Sequence, residues 1–200
     1  MVCAIKPPAR QMLFTAKAYD FYRRGGQAAV CKTMSLKSLL IMRHAKSSWS
    51  FEDASDHERP LNDRGRRDAP AIGGVLRARK VFPGLIWSSD STRTRETAAG
   101  LLTKKPDSFE TDCVYLDRFY HASANSVLTQ CTSRGEPAID ALMLLGHNPG
   151  WEDLVYYFTG DPHRMPTAAC AVLRRKDAAA DWLSPEAWHL QDMIYPRDLA

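Results

Sequence analysis

Two apolar runs that each end at a histidine constrain this chain more than any other feature of its sequence. The first run covers residues 39–42 and is followed directly by Arg43 and His44. The second covers residues 141–145 and ends, one glycine later, at His147. Apolar runs of this length between polar flanks are typical of strands buried on both faces. They predict two strands of an open α/β sheet, with both histidines at the edge where the strands end.

The rest of the sequence alternates between helical and strand patterns. Helical periodicity or helix-start residues predict helices over residues 69–80, from residue 91, over 126–132 and over 151–158. Before the first of these patterns, Asn62 is a favourable N-cap residue. Further strands are predicted over residues 84–89, 113–116, 168–174 and 188–194. This alternation predicts a three-layer α/β/α sandwich around a mainly parallel central sheet. The last two strands are expected to form an antiparallel edge pair.

Two histidines at adjacent strand ends are compatible with either a metal pair or a nucleophile and its helper. Arg43 distinguishes these alternatives, because a guanidinium next to His44 would repel a divalent cation and attract an oxyanion. Arginine presents five donors in a planar fork that matches the oxygens of a phosphate group. A phosphate site is therefore the favoured interpretation, and a metal-dependent hydrolase built on His44 and His147 is the weaker alternative.

Four short stretches give this interpretation a specific form. In chain order they cover residues 40–44, 59–65, 88–97 and 144–149. Together they resemble the histidine phosphatase superfamily, also called phosphoglycerate mutase-like. Within that superfamily the chain is most similar to the SixA-type phosphohistidine phosphatases. The resemblance spans about residues 38 to 190 and implies the phosphoglycerate mutase-like fold.

The resemblance also implies roles for individual residues. His44 would attack phosphorus and carry the phosphoryl group as a phosphohistidine, while Arg43 and Arg93 would bind its oxygens. His147, as an imidazolium, would add positive charge and a hydrogen bond. Because arginines can supply the positive charge that a metal ion supplies elsewhere, we expect neither a metal nor another cofactor.

Two assignments depend on position within a motif. The second phosphate-binding arginine of the family matches Arg93, which lies four residues before Thr97. Arg95, two residues further on, faces a different side of the predicted helix. Ser47 follows the nucleophile position and is expected to offer its amide or hydroxyl group to the phosphate.

The general acid is the position at which this chain differs from the mutases of the family. They carry a glutamate where this sequence has His121, and SixA-type proteins also lack that glutamate. Either His121 or the nearby Asp117 could replace it; the alternative, which we favour, is that His121 only lines the substrate pocket. A site without this acid suits phosphohistidine, because imidazole is a less demanding leaving group than an alkoxide. We therefore expect a phosphatase acting on phosphohistidine of a protein partner.

Two alternatives to this function remain open at the level of the sequence. One is a phosphatase or mutase of the same superfamily that acts on small phosphomonoesters. The other is a non-enzymatic domain that keeps the phosphate pocket only for binding.

Charge is distributed unevenly along the chain. Residues 1–38 hold seven basic residues and one acidic residue, so the remainder holds 20 basic and 22 acidic residues despite the net charge of +4. We interpret residues 1–37 as a basic extension, either disordered or a targeting segment, and residues 38–200 as the phosphatase domain. The slightly acidic domain argues against nucleic-acid binding, and no apolar run approaches a membrane span. A cytoplasmic location is expected, with a plastid or mitochondrion as the alternative.

Overall fold

The computed structural model describes residues 35–50 and 55–199. Almost all of the predicted extension, residues 1–34, lies outside the described residues. Near the start of the described part, the side chain of Leu36 is fully buried in the hydrophobic core.

A single six-stranded sheet forms the centre of the described part. Its strands are β1 (Ser38–Arg43), β2 (Leu85–Ser89), β3 (Asp112–Leu116), β4 (Ala141–Gly146), β5 (Cys170–Arg175) and β6 (Trp188–Ile194). The spatial order is β3-β2-β4-β1-β5-β6. The first four strands in that order pair in parallel. Strand β5 pairs antiparallel with β1, and β6 pairs antiparallel with β5. Both the mainly parallel sheet and the antiparallel edge pair are confirmed.

Helices cover both faces of this sheet. They are α1 (Asp63–Ala78), α2 (Thr92–Leu102), α3 (Ala124–Arg134) and α4 (Gly150–Thr159). Side chains of β1 alternate between the two faces: Leu40 and Met42 pack with α1 and α2, whereas Leu39 and Ile41 pack with α3 and α4. The three-layer arrangement is therefore confirmed. None of the described helices is long and apolar enough to cross a membrane.

The first helix begins earlier than its apolar pattern predicts. The pattern starts at Ala69, but α1 starts at Asp63, after the side chain of Asn62 accepts a hydrogen bond of 2.9 Å from the amide of Gly65. Asn62 is a favourable N-cap residue. The first turn of α1 is mostly solvent-exposed and charged, so the cap residue, and not the apolar pattern, indicates where the helix starts; the predicted N-cap Asn62 is confirmed.

The pairing of β1 with β4 places the predicted site. Arg43 lies opposite Gly146 in this parallel pair, and the amide of His44 donates to the carbonyl of Gly146 at 3.0 Å. His44 and His147 therefore leave neighbouring strands at the same level. This pairing confirms the expectation that both histidines emerge at one edge of the sheet.

The packing of α1 against α2 yields a test with a matched control. A Cβ atom on Gly73 would lie 2.7 Å from the carbonyl oxygen of Leu101, whereas one on Gly74 would meet no atom within 4 Å. Alanine is favoured over glycine in a helix by about 1 kcal/mol. In urea denaturation we expect Gly74→Ala to raise the free energy of unfolding by about 0.5–1 kcal/mol, and Gly73→Ala to lower it by about 1–3 kcal/mol. Equal effects would contradict this close helix contact.

Candidate active site

The rings of His44 and His147 form the centre of the candidate site. Their centroids lie 5.1 Å apart, with an interplanar angle of 54°. Both side chains are buried: His44 is 8% exposed and His147 is 2% exposed. The predicted proximity of the two rings is therefore observed, at the edge where the parallel strands end.

A hydrogen bond to the backbone fixes which ring nitrogen of His44 carries the proton. Its Nδ1 atom lies 2.7 Å from the carbonyl oxygen of Ala45. A carbonyl oxygen can only accept a hydrogen bond, so Nδ1 must carry the proton. In the neutral ring, the lone pair then resides on Nε2. This geometry prepares Nε2 of His44 to act as a nucleophile.

The surroundings of His44 keep its ring neutral. Burial lowers the pKa of His44 to about 3, against the opposing effect of the hydrogen bond to Ala45. Nearby positive charges lower this pKa further, and they belong to Arg93, Arg43 and Arg59. Near pH 7 the ring therefore keeps the free lone pair that a nucleophile needs.

His147 is buried and forms a hydrogen bond through one of its two ring nitrogens. Its Nε2 atom is 2.9 Å from Oγ of Ser89, the last residue of β2, while its buried Nδ1 has no hydrogen-bond partner among the described residues. Burial, reinforced by the neighbouring His44 and Arg93, lowers the pKa of His147 to about 2. Its burial and its cationic neighbours therefore favour the neutral ring in the free protein, before a phosphate is bound.

Arg43 is anchored beside the histidine pair. Its Nη1 atom donates to the carbonyl of Met165 at 2.9 Å, and its buried Nε has no hydrogen-bond partner among the described residues. Burial lowers the pKa of this guanidinium, which nevertheless stays charged as arginines do. A cavity of about 570 Å³ opens beside it, lined in part by Asn148, Glu152 and Arg164.

Arg93 lies buried at the start of α2 and is only 2% exposed. Two hydrogen bonds connect its backbone to the nucleophile loop: the amide of Ala45 donates to Oγ1 of Thr97, and that hydroxyl donates to the Arg93 carbonyl. The guanidinium donates to the backbone carbonyl of Asp56 and, at 2.9 Å, to the carboxylate of the same residue.

Arg95 is placed quite differently. It is exposed, its Nε donates to the carbonyl of Asp90 at 2.8 Å, and its guanidinium lies 4.0 Å from the ring centroid of Tyr115. The two arginines therefore face different surroundings, although they are only two residues apart.

The Ser47 hydroxyl lies in the nucleophile loop and contacts a buried arginine. It accepts a hydrogen bond of 2.7 Å from Nη2 of Arg59, whose Nε donates to the carbonyl of Ser48. Arg59 is 7% exposed, and its guanidinium lies 3.2 Å from a ring centroid of Trp49. The sequence analysis gave Arg59 no role, although it lies within a matching stretch.

His121 and Asp117 occupy different positions relative to the histidine pair. The ring of His121 stacks on that of His147, with centroids 5.3 Å apart, and its backbone has a positive φ of 48°. Asp117 instead accepts a hydrogen bond of 2.7 Å from the amide of Arg118 within its own turn. Of the two candidates for the general acid, His121 is therefore the one in contact with the site.

Asp56 is the main site residue that the sequence analysis missed. Its carboxylate accepts hydrogen bonds from Arg59, Arg93 and the hydroxyl of Tyr120, and it lies 3.1 Å from Nε2 of His121. It sits in a loop without periodicity, and three of these partners lie 37 to 65 residues away. The acidic side chain is the one signal that Asp56 gives in the sequence, because its distant contacts leave no local pattern.

The site as a whole suits an oxyanion. It combines two neutral imidazoles with three buried or partly buried guanidinium groups and a single carboxylate. Within residues 35–50 and 55–199, no cluster of three or more histidine, cysteine or acidic side chains could hold a metal ion.

Comparison with known sequences identifies the superfamily. A profile of the histidine phosphatase superfamily (branch 1) matches residues 39–117. An uncharacterized chloroplastic protein of Arabidopsis thaliana is 30% identical over 179 residues, covering 84% of this chain and 82% of that protein.

Solved structures agree with this assignment. SixA from Agrobacterium tumefaciens, assigned as a phosphohistidine phosphatase, has a TM-score of 0.66 and 28% identity, covering 80% of this chain and 98% of that chain. SixA from Nakamurella multipartitia, with the same assignment, has a TM-score of 0.66 and 25% identity, covering 80% and 96%. The fold is therefore phosphoglycerate mutase-like, and the chain belongs to the histidine phosphatase superfamily.

Proposed function

We propose that this chain is a phosphatase that forms a phosphohistidine intermediate on His44 and acts on phosphohistidine of a protein partner. Membership of the superfamily and the likeness to SixA structures support phosphatase activity. The observation that carries the proposed mechanism is the hydrogen bond from Nδ1 of His44 to Ala45. It leaves Nε2 unprotonated in a ring that burial keeps neutral.

The reaction proceeds in two displacements. The lone pair of His44 Nε2 attacks phosphorus, and the bond from phosphorus to the leaving nitrogen breaks, with its electron pair remaining on that nitrogen. Water then attacks the phosphoryl group, and the electron pair of the Nε2–P bond returns to His44. The nitrogen released in the first displacement takes up one proton and the attacking water gives one up, so the protons balance when inorganic phosphate leaves.

Charge stabilisation comes from the groups around the histidine pair. Arg43 and Arg93 bind the equatorial oxygens, on which negative charge resides during transfer. A bound phosphate dianion raises the pKa of the neighbouring His147, because a nearby negative charge favours the protonated ring. His147 thereby becomes a stronger hydrogen-bond donor only when the substrate is present. Ser47 contributes through Arg59, whose guanidinium it orients.

The preference for phosphohistidine follows from the leaving group. His121 occupies the place of the glutamate acid found in mutases, and it contributes to the wall of the pocket through its stacking on His147. Imidazole can leave without a strong acid, whereas an alkoxide cannot. The relatives assigned as phosphohistidine phosphatases support the same substrate class.

The compartment of the protein is a separate proposal. The Arabidopsis thaliana relative is named chloroplastic, and residues 1–38 of the present chain are strongly basic. Both points support the plastid alternative, with residues 1–37 as the targeting segment, over the cytoplasmic expectation.

A substrate panel tests the proposed function. Wild type and His44→Ala are assayed in excess chelator with a phosphohistidine peptide, an aryl phosphate and an alkyl phosphate. We expect wild type to cleave the phosphohistidine peptide with a kcat/KM at least about tenfold above that for the alkyl phosphate, a margin worth about 1.4 kcal/mol. His44→Ala should cleave none of them, because the covalent step loses its nucleophile.

Each contrary result of this panel identifies an alternative. Faster cleavage of the alkyl phosphate would point to a small-molecule phosphatase or mutase. Activity that disappears in chelator and returns with zinc or magnesium would point to a metallohydrolase. Phosphate binding without any turnover would point to a binding domain.

The two neighbouring arginines of α2 provide a matched pair of variants. Arg93→Ala should lower kcat/KM by about 10²–10³-fold, the usual cost of losing one preorganised transition-state donor. Arg95→Ala should stay within about twofold of wild type, because an exposed arginine away from the site contributes little. Steady-state kinetics with the aryl phosphate measures both. Equal losses in the two variants would contradict the placement of Arg93 in the site.

A further inference from the structure

The carboxylate of Asp56 connects four side chains from three parts of the chain. Its Oδ1 accepts from Nη1 of Arg59 at 2.6 Å. Its Oδ2 accepts from Nη2 of Arg93 at 2.9 Å and from the hydroxyl of Tyr120 at 2.7 Å, and Nε2 of His121 lies 3.1 Å away. One residue thus ties the short turn Asp56–Glu58 to α2 and to the loop before α3.

These contacts keep Asp56 ionised. Burial alone would raise its pKa, but hydrogen bonds from Tyr120, His121 and Arg59 and the charge of Arg93 hold this pKa well below its usual range. A carboxylate that is always charged accepts stronger hydrogen bonds than a neutral group. Asp56 therefore remains a carboxylate near neutral pH.

The contact with Arg93 constrains its guanidinium more than a simple ion pair would. Nη1 donates to the backbone carbonyl of Asp56 while Nη2 donates to its carboxylate, so two separate acceptors of one residue fix the plane of the group. Arg93 is also close enough for its charge to lower the pKa of both His44 and His147. Its position therefore matters for the electrostatics of the histidine pair.

The same carboxylate orients two rings against His147. Tyr120 approaches His147 edge-on with centroids 5.5 Å apart, and His121 stacks on it at 5.3 Å. His121 holds this place with a positive φ of 48°. A non-glycine residue seldom adopts this conformation unless its surroundings fix it. The contact with Asp56 is one such constraint.

We propose that Asp56 is a positioning residue that holds the Arg93 guanidinium in place for phosphoryl transfer. This inference rests on the proposed function. Asp56 acts through Arg93 rather than on the substrate, so removing it should lower kcat more than it raises KM. The reason is that a misplaced guanidinium loses most of its contribution in the transition state, where charge must be stabilised.

Asp56→Asn tests this proposal, with Asp90→Asn as the matched control. Asp90 also forms a hydrogen bond with a histidine, His57, at 2.9 Å, but among the described residues the Arg93 guanidinium donates to Asp56 and not to Asp90. We expect Asp56→Asn to lower kcat for the aryl phosphate by about 10–10²-fold, with KM within about threefold of wild type. Asp90→Asn should leave both constants within about twofold.

A double-mutant cycle separates positioning from a general loss of structure. If Asp56 acts through Arg93, Asp56→Asn should cost less than about threefold in an Arg93→Ala background, because coupled residues are not additive. A thermal melt of each variant confirms that it is folded, and Asp56→Ala replaces Asp56→Asn if the latter unfolds.

Three results would overturn the positioning role. They are equal losses for Asp56→Asn and Asp90→Asn, wild-type kcat in Asp56→Asn, and an undiminished cost of Asp56→Asn in the Arg93→Ala background. Absence of activity in the wild type would instead contradict the proposed function itself. The two failures are therefore distinguishable.

Discussion

The parallel pairing of β1 with β4 is the constraint on which the site depends. Because Arg43 lies opposite Gly146 in this pair, the residues that follow, His44 and His147, reach the same edge at the same level. A shift of register by one residue would turn every side chain of β1 to the other face of the sheet. Fully buried side chains on both faces, such as Leu39 and Leu40, make such a shift costly.

Burial at this edge has a chemical consequence. A histidine near the surface would be partly protonated around neutral pH, but burial and nearby arginines lower the pKa of His44 to about 3 and that of His147 to about 2. Burial in the packed interior thus provides a neutral nucleophile next to charged guanidinium groups. Asp56 offsets part of that positive charge without itself approaching neutrality.

The sequence predicts the parts of the structure that have a local signal. Apolar runs located the strands that carry His44 and His147, and the resemblance to a family selected Arg93 over Arg95. In the structure Arg93 is buried and Arg95 is exposed. This difference is the one expected if Arg93, and not Arg95, binds phosphate.

The features that the sequence could not predict depend on long-range contacts. Asp56 meets Tyr120 across 64 residues, and Ser89 meets His147 across 58 residues. Asp56 and Tyr120 lie outside the four matching stretches, and although Ser89 and His147 lie within them, the resemblance predicted no contact between these two residues. The desolvation that lowers the pKa of His147 is likewise a property of the folded environment and not of the local sequence.

The identity of the phosphorylated atom tests most directly whether Nε2 of His44 is the nucleophile. Wild-type protein would be mixed rapidly with a labelled substrate and quenched in alkali, which preserves phosphohistidine. Mass spectrometry would locate the residue, and NMR of the isolated peptide would locate the ring nitrogen. We expect phosphate on Nε2 of His44, because Nδ1 donates a hydrogen bond to the carbonyl of Ala45. Phosphate on Nδ1 of His44, on His147 or on a hydroxyl group would contradict it.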